Sequence, residues 1–241
     1  MAIAVISDIH ANLEALEAVL ADIDQRGLSR IICLGDLVGY GPNPQEVVQR
    51  VRQRSILSVA GNHEMGVLSD RSLFWFNPKT RANVLRMREM LSEDAISFLA
   101  TLPRSLVVDD ALFVHGFPPR SPFVYLFQIQ GETLAKRLAG LSHTPSFVGH
   151  THELVLEGLH QGSVESRILH KGILSLDWEQ CIVNVGSVGQ PRDGDPSAKY
   201  VIWDKENATI EVCFVPYDAR RTAAKINALG FPAYYGERLL G

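Results

Sequence analysis

Five short apolar runs in this chain of 241 residues each end in a motif that carries metal-binding side chains. The runs are rich in β-branched residues and close on Gly, Asp or His, a pattern typical of buried strands. The motifs are Asp8-Ile9-His10, Gly35-Asp36, Gly61-Asn62-His63-Glu64, His115-Gly116 and Gly149-His150-Thr151-His152. In open α/β sheets, ligands bind beyond the carboxyl ends of the strands. We therefore expect the five motifs to form one polar cluster, and this cluster to be the active site.

Helical spacing separates the first three of these runs. Leu13, Leu16, Leu20 and Ile23 predict a helix from Ala11 to about Arg26, and a second helix is expected over Gln45 to Arg54. The order strand, helix, strand, helix, strand favours a parallel sheet with right-handed connections.

Residues 65–103 depart from this alternation, and we predict a helical insertion beside the site. It contains Trp75 and Phe76, which either pack in its core or touch the substrate. Ser92 is a suitable N-cap for its last helix. After it, short strands are expected at 106–108, 111–115, 146–149, 167–169, 173–176, 181–185, 199–204 and 209–215. The pattern favours two sheets packed face to face with helices outside, in a single domain over residues 1–241.

Composition narrows the class of protein. The net charge of −4 provides no basic face for nucleic acid. No apolar stretch approaches the roughly 20 residues of a membrane span, and no secretory signal is recognisable at the start. Cys33, Cys181 and Cys213 are odd in number and lack CxxC spacing, so we expect buried free thiols in a reducing compartment. A cytoplasmic protein is the resulting expectation.

The residue types of the motifs suit transition metals. Each motif alone has an ordinary explanation, such as a helix cap at Asp8 or a turn at Asn62, but together they favour a metal centre. Mixed imidazole and carboxylate ligands suit two divalent ions of manganese, iron, zinc, cobalt or nickel. Two such ions, roughly 3.5–4 Å apart, need a bridging carboxylate and a bridging water. The net positive charge of such a centre would attract a small phosphorylated substrate.

In their order, the motifs resemble the signature of the calcineurin-like metallophosphoesterase family, D-x-H, G-D, G-N-H-[DE], H and G-H-x-H, across residues 8–152. The resemblance implies an α/β fold, a four-layer α-β-β-α sandwich of two packed mixed sheets with helices on both outer faces. It implies one metal held by Asp8, His10 and His152, a second held by Asn62, His115 and His150, and Asp36 bridging the two. His63 would not be a ligand and would face the leaving-group oxygen. We expect Asn62 and His63 to lie in an extended turn, where successive side chains point to different sides.

Two segments are similar to the small bacterial phosphodiesterase-like branch of this family, residues 35–42 and 184–196. Gly39 and Tyr40 stand where the protein phosphatases of the superfamily carry the Asp that orients the catalytic His and the Arg that grips phosphate. This difference argues against a protein phosphatase. Arg192 could replace the missing clamp through a bidentate contact, or it could pair with a neighbouring acid, Asp193 or Asp195.

The sequence therefore predicts metal-dependent hydrolysis of phosphoesters. A hydroxide bridging the two metals would attack phosphorus in line, and His63 would protonate the leaving group or bind the transition state. Small phosphodiesters are the preferred substrates, with manganese as the test metal. Dinucleoside polyphosphates of the diadenosine tetraphosphate type come second, and phosphomonoesters third. A non-catalytic metal-binding scaffold is the alternative class, and retention of His63 argues against it. The net negative charge of the chain argues against a DNA nuclease.

Overall fold

Two six-stranded mixed sheets form the centre of the protein in the computed structural model, which describes residues 2–241. Met1, part of the predicted domain range, lies outside the described residues. The strands are β1 (Ile3–Ile6), β2 (Ile31–Cys33), β3 (Leu57–Ser58), β4 (Ser105–Val108), β5 (Ala111–Val114), β6 (Ser146–Val148), β7 (Leu154–His160), β8 (Ser163–Ile168), β9 (Gly172–Ser175), β10 (Gln180–Val185), β11 (Ala198–Asp204) and β12 (Thr209–Val215). The order is β3-β2-β1-β11-β12-β9 in the first sheet and β4-β5-β6-β10-β7-β8 in the second.

Eight α-helices accompany the strands in the described part of the chain. They are α1 (Leu13–Gln25), α2 (Pro44–Gln53), α3 (Asn62–Leu68), α4 (Pro78–Met90), α5 (Glu93–Thr101), α6 (Gly131–Ala139), α7 (Ala219–Ala228) and α8 (Ala233–Glu237), with short 3-10 helices at Asp70–Trp75 and Leu126–Gln128. None of these helices has the length and apolar character of a membrane span.

The alternation of side chains along β1 explains the layers. Ile3 and Val5 belong to the core between the sheets, where the ring centroids of Phe147 and Trp203, from opposite sheets, lie 5.4 Å apart. Ala4 and Ile6 point to the other face, into the core that the first sheet shares with α1 and α2. A third core lies between the second sheet and α6. The four-layer sandwich predicted from the sequence is confirmed.

The five apolar runs divide between the two sheets. β1, β2 and β3 pair in parallel in the first sheet, as predicted, whereas β5 and β6 pair in parallel in the second. The motifs therefore meet where the carboxyl ends of two packed sheets converge, and not at the edge of one open sheet.

Helix boundaries follow their caps. The side chain of Asn12 accepts a hydrogen bond from the Ala15 backbone N–H and begins α1, and Ser92 caps α5 in the same way, as predicted. The helices found at α3, α6 and α8 were not predicted, and neither was β7. Residues 65–103 are helical throughout most of their length, as predicted for the insertion. Cys33, Cys181 and Cys213 are buried free thiols, as expected.

Candidate metal centre

Two groups of side chains meet at the carboxyl ends of the strands. Asp8, His10 and His152 form one group and Asp36, His115 and His150 the other, and within each group the potential ligand atoms lie within 4.8 Å of one another. Asp36 lies between them, because its Oδ2 is 3.3 Å from His115 Nε2 and 3.7 Å from His10 Nε2. One carboxylate is thus shared by two sets of imidazoles.

In each of four histidines, one ring nitrogen, here called the inner nitrogen, faces the inner nitrogen of another histidine, and the other ring nitrogen is called the outer one. His10 Nε2 lies 3.0 Å from His152 Nε2, and His115 Nε2 lies 3.1 Å from His150 Nδ1. Two imidazole nitrogens bound to one ion, each about 2.0–2.1 Å from it, stand roughly 3 Å apart. The spacing of each pair is therefore the one that a shared metal ion requires.

The outer nitrogens of these four rings fix the tautomers. Each lies within hydrogen-bond distance of a backbone carbonyl, which can only accept: His10 Nδ1 at 3.1 Å from Val38 O, His115 Nδ1 at 2.9 Å from Leu34 O, His152 Nδ1 at 2.6 Å from Gln190 O and His150 Nε2 at 3.2 Å from Phe123 O. A ring that donates from its outer nitrogen presents a lone pair at the inner one, as metal-binding histidines do.

Burial and charge set the protonation of the cluster. Burial lowers the pKa of His150 to about 3 and that of His152 to about 4, so both rings are neutral at pH 7. Burial also acts against a charged His115, but Asp36 outweighs it and raises the pKa of His115 to about 9. Burial disfavours the Asp36 carboxylate, yet His115 and His63 keep the pKa of Asp36 well below its usual range. A divalent cation would replace the proton that these groups otherwise share.

Asp8 provides a direct test of whether a cation fits. Its Oδ2 accepts hydrogen bonds from Ser7 Oγ at 2.6 Å and from the His150 backbone N–H at 3.0 Å. Its Oδ1 is buried and has no hydrogen-bond partner among residues 2–241, although it lies 3.2 Å from His152 Nε2. A buried carboxylate oxygen without a donor is costly in a protein. This atom, surrounded by imidazole lone pairs, fits a metal ion.

Asn62 and His63 open helix α3. Asn62 Oδ1 lies 3.1 Å from His115 Nε2, which adds a neutral oxygen to the second group. We expected an extended turn here, and that expectation is wrong, because both residues lie in the first turn of a helix. Consecutive helical residues point about 100° apart, so their side chains still diverge.

The ring of His63 lies between the first group and an aromatic surface. Its centroid is 4.9 Å from that of His10, 4.8 Å from that of Tyr40 and 5.3 Å from that of Phe76. Its Nε2 is 4.0 Å from Asp36 Oδ2, and it also falls within a ligand-distance group with His10 and Asp36. Its Nδ1 has no hydrogen-bond partner in the described chain. Gly39, at φ 103°, allows the close approach of this ring, because a Cβ there would overlap His63 Nδ1.

Five of the predicted site residues have an uncommon backbone conformation. A positive φ occurs at Asp8 (54°), His10 (48°), Asp36 (52°), His150 (69°) and His152 (65°). Non-glycine residues rarely adopt this region, and such strain gathers at functional sites. It aims the side chains out of the strand ends and toward the common centre.

Glu64 is a structural residue of the site that was not singled out from the sequence. Its carboxylate accepts backbone N–H groups of Gly61, Asp36 and Leu37, each at 2.8 Å, and that of Val38 at 3.3 Å. It therefore ties the turn that carries Asp36 to the start of α3. Burial and the charge of Asp36 raise its pKa to about 7, while the backbone donors favour its ionised form. Its place three residues after the N-cap, typical of a capping box, is the sequence signal that could have identified it.

A cavity of about 570 Å³ opens beside the two groups. Asp36, Asn62, His63, His150 and His152 line its floor, and Trp75, Tyr125 and Arg192 are among the residues of its walls. Both aromatics of the insertion line this cavity, but Phe76 is buried and packs in the core, whereas Trp75 is largely exposed.

Arg192 does not pair with the neighbouring acids. Its guanidinium donates to Gln190 Oε1 at 3.1 Å, whereas both Asp193 and Asp195 pair with Lys199, so the expected pairing with these acids is wrong. The guanidinium therefore remains available to the cavity.

Comparison with known proteins agrees with this geometry. Residues 1–208 match the family model described as the calcineurin-like phosphoesterase superfamily domain. An uncharacterised protein of Methanocaldococcus jannaschii is 39% identical over 246 residues, covering 98% of this chain and 96% of that protein. The crystal structure of a metallophosphoesterase from Sphaerobacter thermophilus is 34% identical with a TM-score of 0.86, covering 100% of this chain and 98% of that one. A hypothetical protein from Pyrococcus horikoshii, 19% identical, shares the fold with a TM-score of 0.77 over 99% of this chain and 97% of its own. The chain therefore belongs to the calcineurin-like phosphoesterase superfamily.

Proposed function

We propose that the protein is a dinuclear metal-dependent phosphoesterase that hydrolyses small phosphodiesters. The observation that carries this proposal is the position of Asp36 between two sets of paired imidazole nitrogens, which supports two ions that share one carboxylate. We assign Asp8, His10 and His152 to one ion, Asn62, His115 and His150 to the other, and Asp36 to both. Two bound divalent ions would supply an activated water and positive charge for the phosphoryl oxygens. Metal analysis would identify them among manganese, iron, zinc, cobalt and nickel, and manganese is the metal used in the assays below.

The other residues of the site would orient the ester. His63 faces the cavity from helix α3, where it can donate a proton to the departing oxygen or hold it by a hydrogen bond. Arg192, on the wall of the cavity, would grip a phosphoryl oxygen. The scaffold alternative loses support because His63 lines the cavity beside the two groups of acids and imidazoles.

The preference for diesters rests on space. The cavity of about 570 Å³ is lined by Trp75 and Arg192 as well as by residues of the centre, so it has room for a group on each side of a phosphorus atom. The three buried thiols support the reducing, cytoplasmic location that the cysteine content predicts.

The test combines metal analysis with matched substrates. With manganese, we expect bis(p-nitrophenyl) phosphate to have a higher kcat/KM than p-nitrophenyl phosphate, which has the same leaving group and one ester bond fewer. Equal values, or a preference for the monoester, would contradict the diester assignment. Strong selectivity for diadenosine tetraphosphate would favour a dinucleoside polyphosphate hydrolase. If protein with two bound ions hydrolysed no phosphoester, the non-catalytic metal-binding scaffold would be the remaining alternative.

A further inference from the structure

We infer that the cavity binds a nucleotide, with the base on the exposed face of Trp75 and a second phosphate among Lys79, Arg192 and Arg238. This inference rests on the proposed function and names the class of substrate: a phosphoester of a nucleoside that carries at least one further phosphate.

The aromatic wall starts at the ligand residues themselves. The backbone carbonyl of Phe123 accepts a hydrogen bond from the outer nitrogen of His150, and the ring of Tyr125 stacks on the His150 ring at a centroid distance of 3.8 Å. The segment that carries these aromatics is therefore fixed directly against the candidate metal centre.

Trp75 continues this wall outward. Its ring stacks on that of Phe123 with a centroid distance of 5.2 Å and an angle of 21° between the planes. It is nevertheless 72% exposed, so one face of the stacked pair remains open beside the cavity. Single exposed aromatics are ordinary. An open ring that is backed by a second ring and lies beside a phosphoryl site is suited to a planar heterocycle.

Cationic side chains form another part of the cavity wall. Lys79, Arg192 and Arg238 line the same cavity, and none of the three forms an ion pair with a carboxylate within residues 2–241. Asp36, at the floor, is the only acid among the described lining residues. In a chain with a net charge of −4, three unpaired cations around one cavity indicate a ligand with more negative charge than a single phosphoryl group at the metals would bring.

The lining also disfavours other phosphoesters. A phospholipid needs an extended aliphatic surface, and this cavity is lined by aromatic and polar side chains. A simple sugar phosphate would leave the open face of Trp75 without a partner. A nucleotide with two or more phosphates can contact both the ring of Trp75 and the cationic side chains.

Binding of three ligands would test this inference. Metal-loaded His63→Ala protein is used so that turnover is slow, and affinity is measured by calorimetry. We expect AMP to bind about 10-fold more tightly than ribose 5-phosphate, because base stacking on an aromatic side chain contributes ~1–3 kcal/mol. ADP should bind about 5-fold more tightly than AMP, since exposed ion contacts each contribute a few tenths to ~1 kcal/mol.

Variants locate the two contacts. Trp75→Ala should abolish the advantage of AMP over ribose 5-phosphate, and Trp75→Phe should keep most of it. Phe74→Ala is the matched control, because Phe74 is the adjacent aromatic, 80% exposed, and does not line the cavity. The double variant Lys79→Gln/Arg238→Gln, which leaves Arg192 in place, should remove the advantage of ADP over AMP, and Arg220→Gln, an exposed arginine elsewhere, should not.

Trp75 also provides a signal that does not depend on activity. Trp178 and Trp203 are 7% and 3% exposed, so quenching of tryptophan fluorescence by AMP would report mainly on Trp75. Equal affinities of AMP and ribose 5-phosphate, or an ADP advantage that survives the double variant, would overturn the inference. Hydrolysis of bis(p-nitrophenyl) phosphate in that case would leave the proposed function intact, whereas nucleotide binding without any hydrolysis would contradict the proposed function alone.

Discussion

At the scale of single residues, His63 differs from the other imidazoles of the site in how it is held. The outer nitrogens of His10, His115, His150 and His152 all lie at backbone carbonyls, whereas Nδ1 of His63 has no polar partner in the described chain. Packing alone orients its ring, between Tyr40 and Phe76. A ring held only by packing can shift with the substrate, which suits a proton donor better than a ligand.

We therefore expect His63→Ala to keep both metal ions and the folded structure while kcat falls by ~10²–10⁴-fold, the usual contribution of a positioned acid. The loss should be smaller for a p-nitrophenyl ester than for an alkyl ester, because p-nitrophenolate leaves with little need for a proton. Metal content by elemental analysis and kcat on both esters are the measurements. His160→Ala, which removes an imidazole that pairs with Glu165 away from the centre, serves as control. Loss of a metal ion would make His63 a ligand, and unchanged turnover on both esters would reopen the scaffold alternative.

The two carboxylates of the centre allow a second prediction. Asp36 lies within 3.7 Å of imidazole nitrogens of both groups, whereas Asp8 Oδ1 approaches only the imidazoles of the first. We expect Asp36→Asn to weaken both metal sites and Asp8→Asn mainly one. Both substitutions remove one charge without changing shape, so each is the control of the other. Two tightly bound ions per chain in Asp36→Asn would show that Asp36 is not a bridge.

At the scale of elements, the connection between β10 and β11 is fixed by a buried lysine. The side chain of Lys199 is fully buried, and its Nζ donates to Asp193 Oδ1 at 2.7 Å and to the backbone carbonyl of Asp195. The same connection carries Arg192 and Gln190, whose carbonyl accepts from His152. The lysine therefore acts on the site through the loop that it holds.

Removal of Asp193, one partner of Lys199, should show how far the loop and the site depend on this lysine. We expect Asp193→Ala to lower the free energy of unfolding by about 1–3 kcal/mol, because it leaves a buried ammonium group with one hydrogen bond fewer. It should also raise KM more than it lowers kcat, since the loop that carries Arg192 loses its contact with Lys199. Urea denaturation and steady-state kinetics are the measurements, with Asp177→Ala as an exposed control. The double variant Asp193→Ala/Lys199→Met should be more stable than the sum of the two single losses, and strict additivity would contradict the pairing.

Local patterns in the sequence predicted the helices whose ends and buried faces are determined by neighbouring residues. The spacing of Leu13, Leu16 and Leu20 identified α1 to within two residues at its start, and Ser92 identified the beginning of α5. Helix α3 was missed because its N-cap is Gly61, which offers no side-chain signal, and because its first residues also belong to a metal-binding motif. Helix α6 is short and follows a loop, so its periodicity has little length in which to appear.

The pairing of strands and the aim of the site residues could not be predicted in the same way. β1 pairs with β11, which follows it by nearly two hundred residues, and no local pattern encodes such a partner. The motifs identified which residues lie at the centre, but the positive φ of Asp36 and His150 depends on the surrounding turns. The position of Glu64 at the start of α3 could have identified it as a capping residue, but no pattern in the sequence shows that it also accepts the backbone N–H groups of Asp36 and Leu37.

At the scale of the whole molecule, each proposed ion joins the two sheets. The first group combines Asp8 and His10, which follow β1 of the first sheet, with His152, which follows β6 of the second. The second group combines Asp36 from the first sheet with His115 and His150 from the second. Metal binding should therefore stabilise the packing of one sheet on the other as well as the local turns.

Removal of the metals should lower the Tm of the protein. An ion present at a hundred times its Kd stabilises the native state by about 2.7 kcal/mol. In a protein of this size each kcal/mol corresponds to roughly 2–4 °C, so we expect a decrease of roughly 5–10 °C per ion after chelation and recovery when manganese is restored. Because we assign Asp8 and His152, which follow strands of different sheets, to the same ion, Asp8→Ala and His152→Ala should each cause much of the same loss. Their double variant should then be little worse than either one in manganese, and this non-additivity should disappear in the chelator. Calorimetry would measure the Tm of the unsubstituted protein, the two single variants and the double variant, each in manganese and in chelator. Additive losses of Tm in manganese would show that no ion links the two sheets at this position.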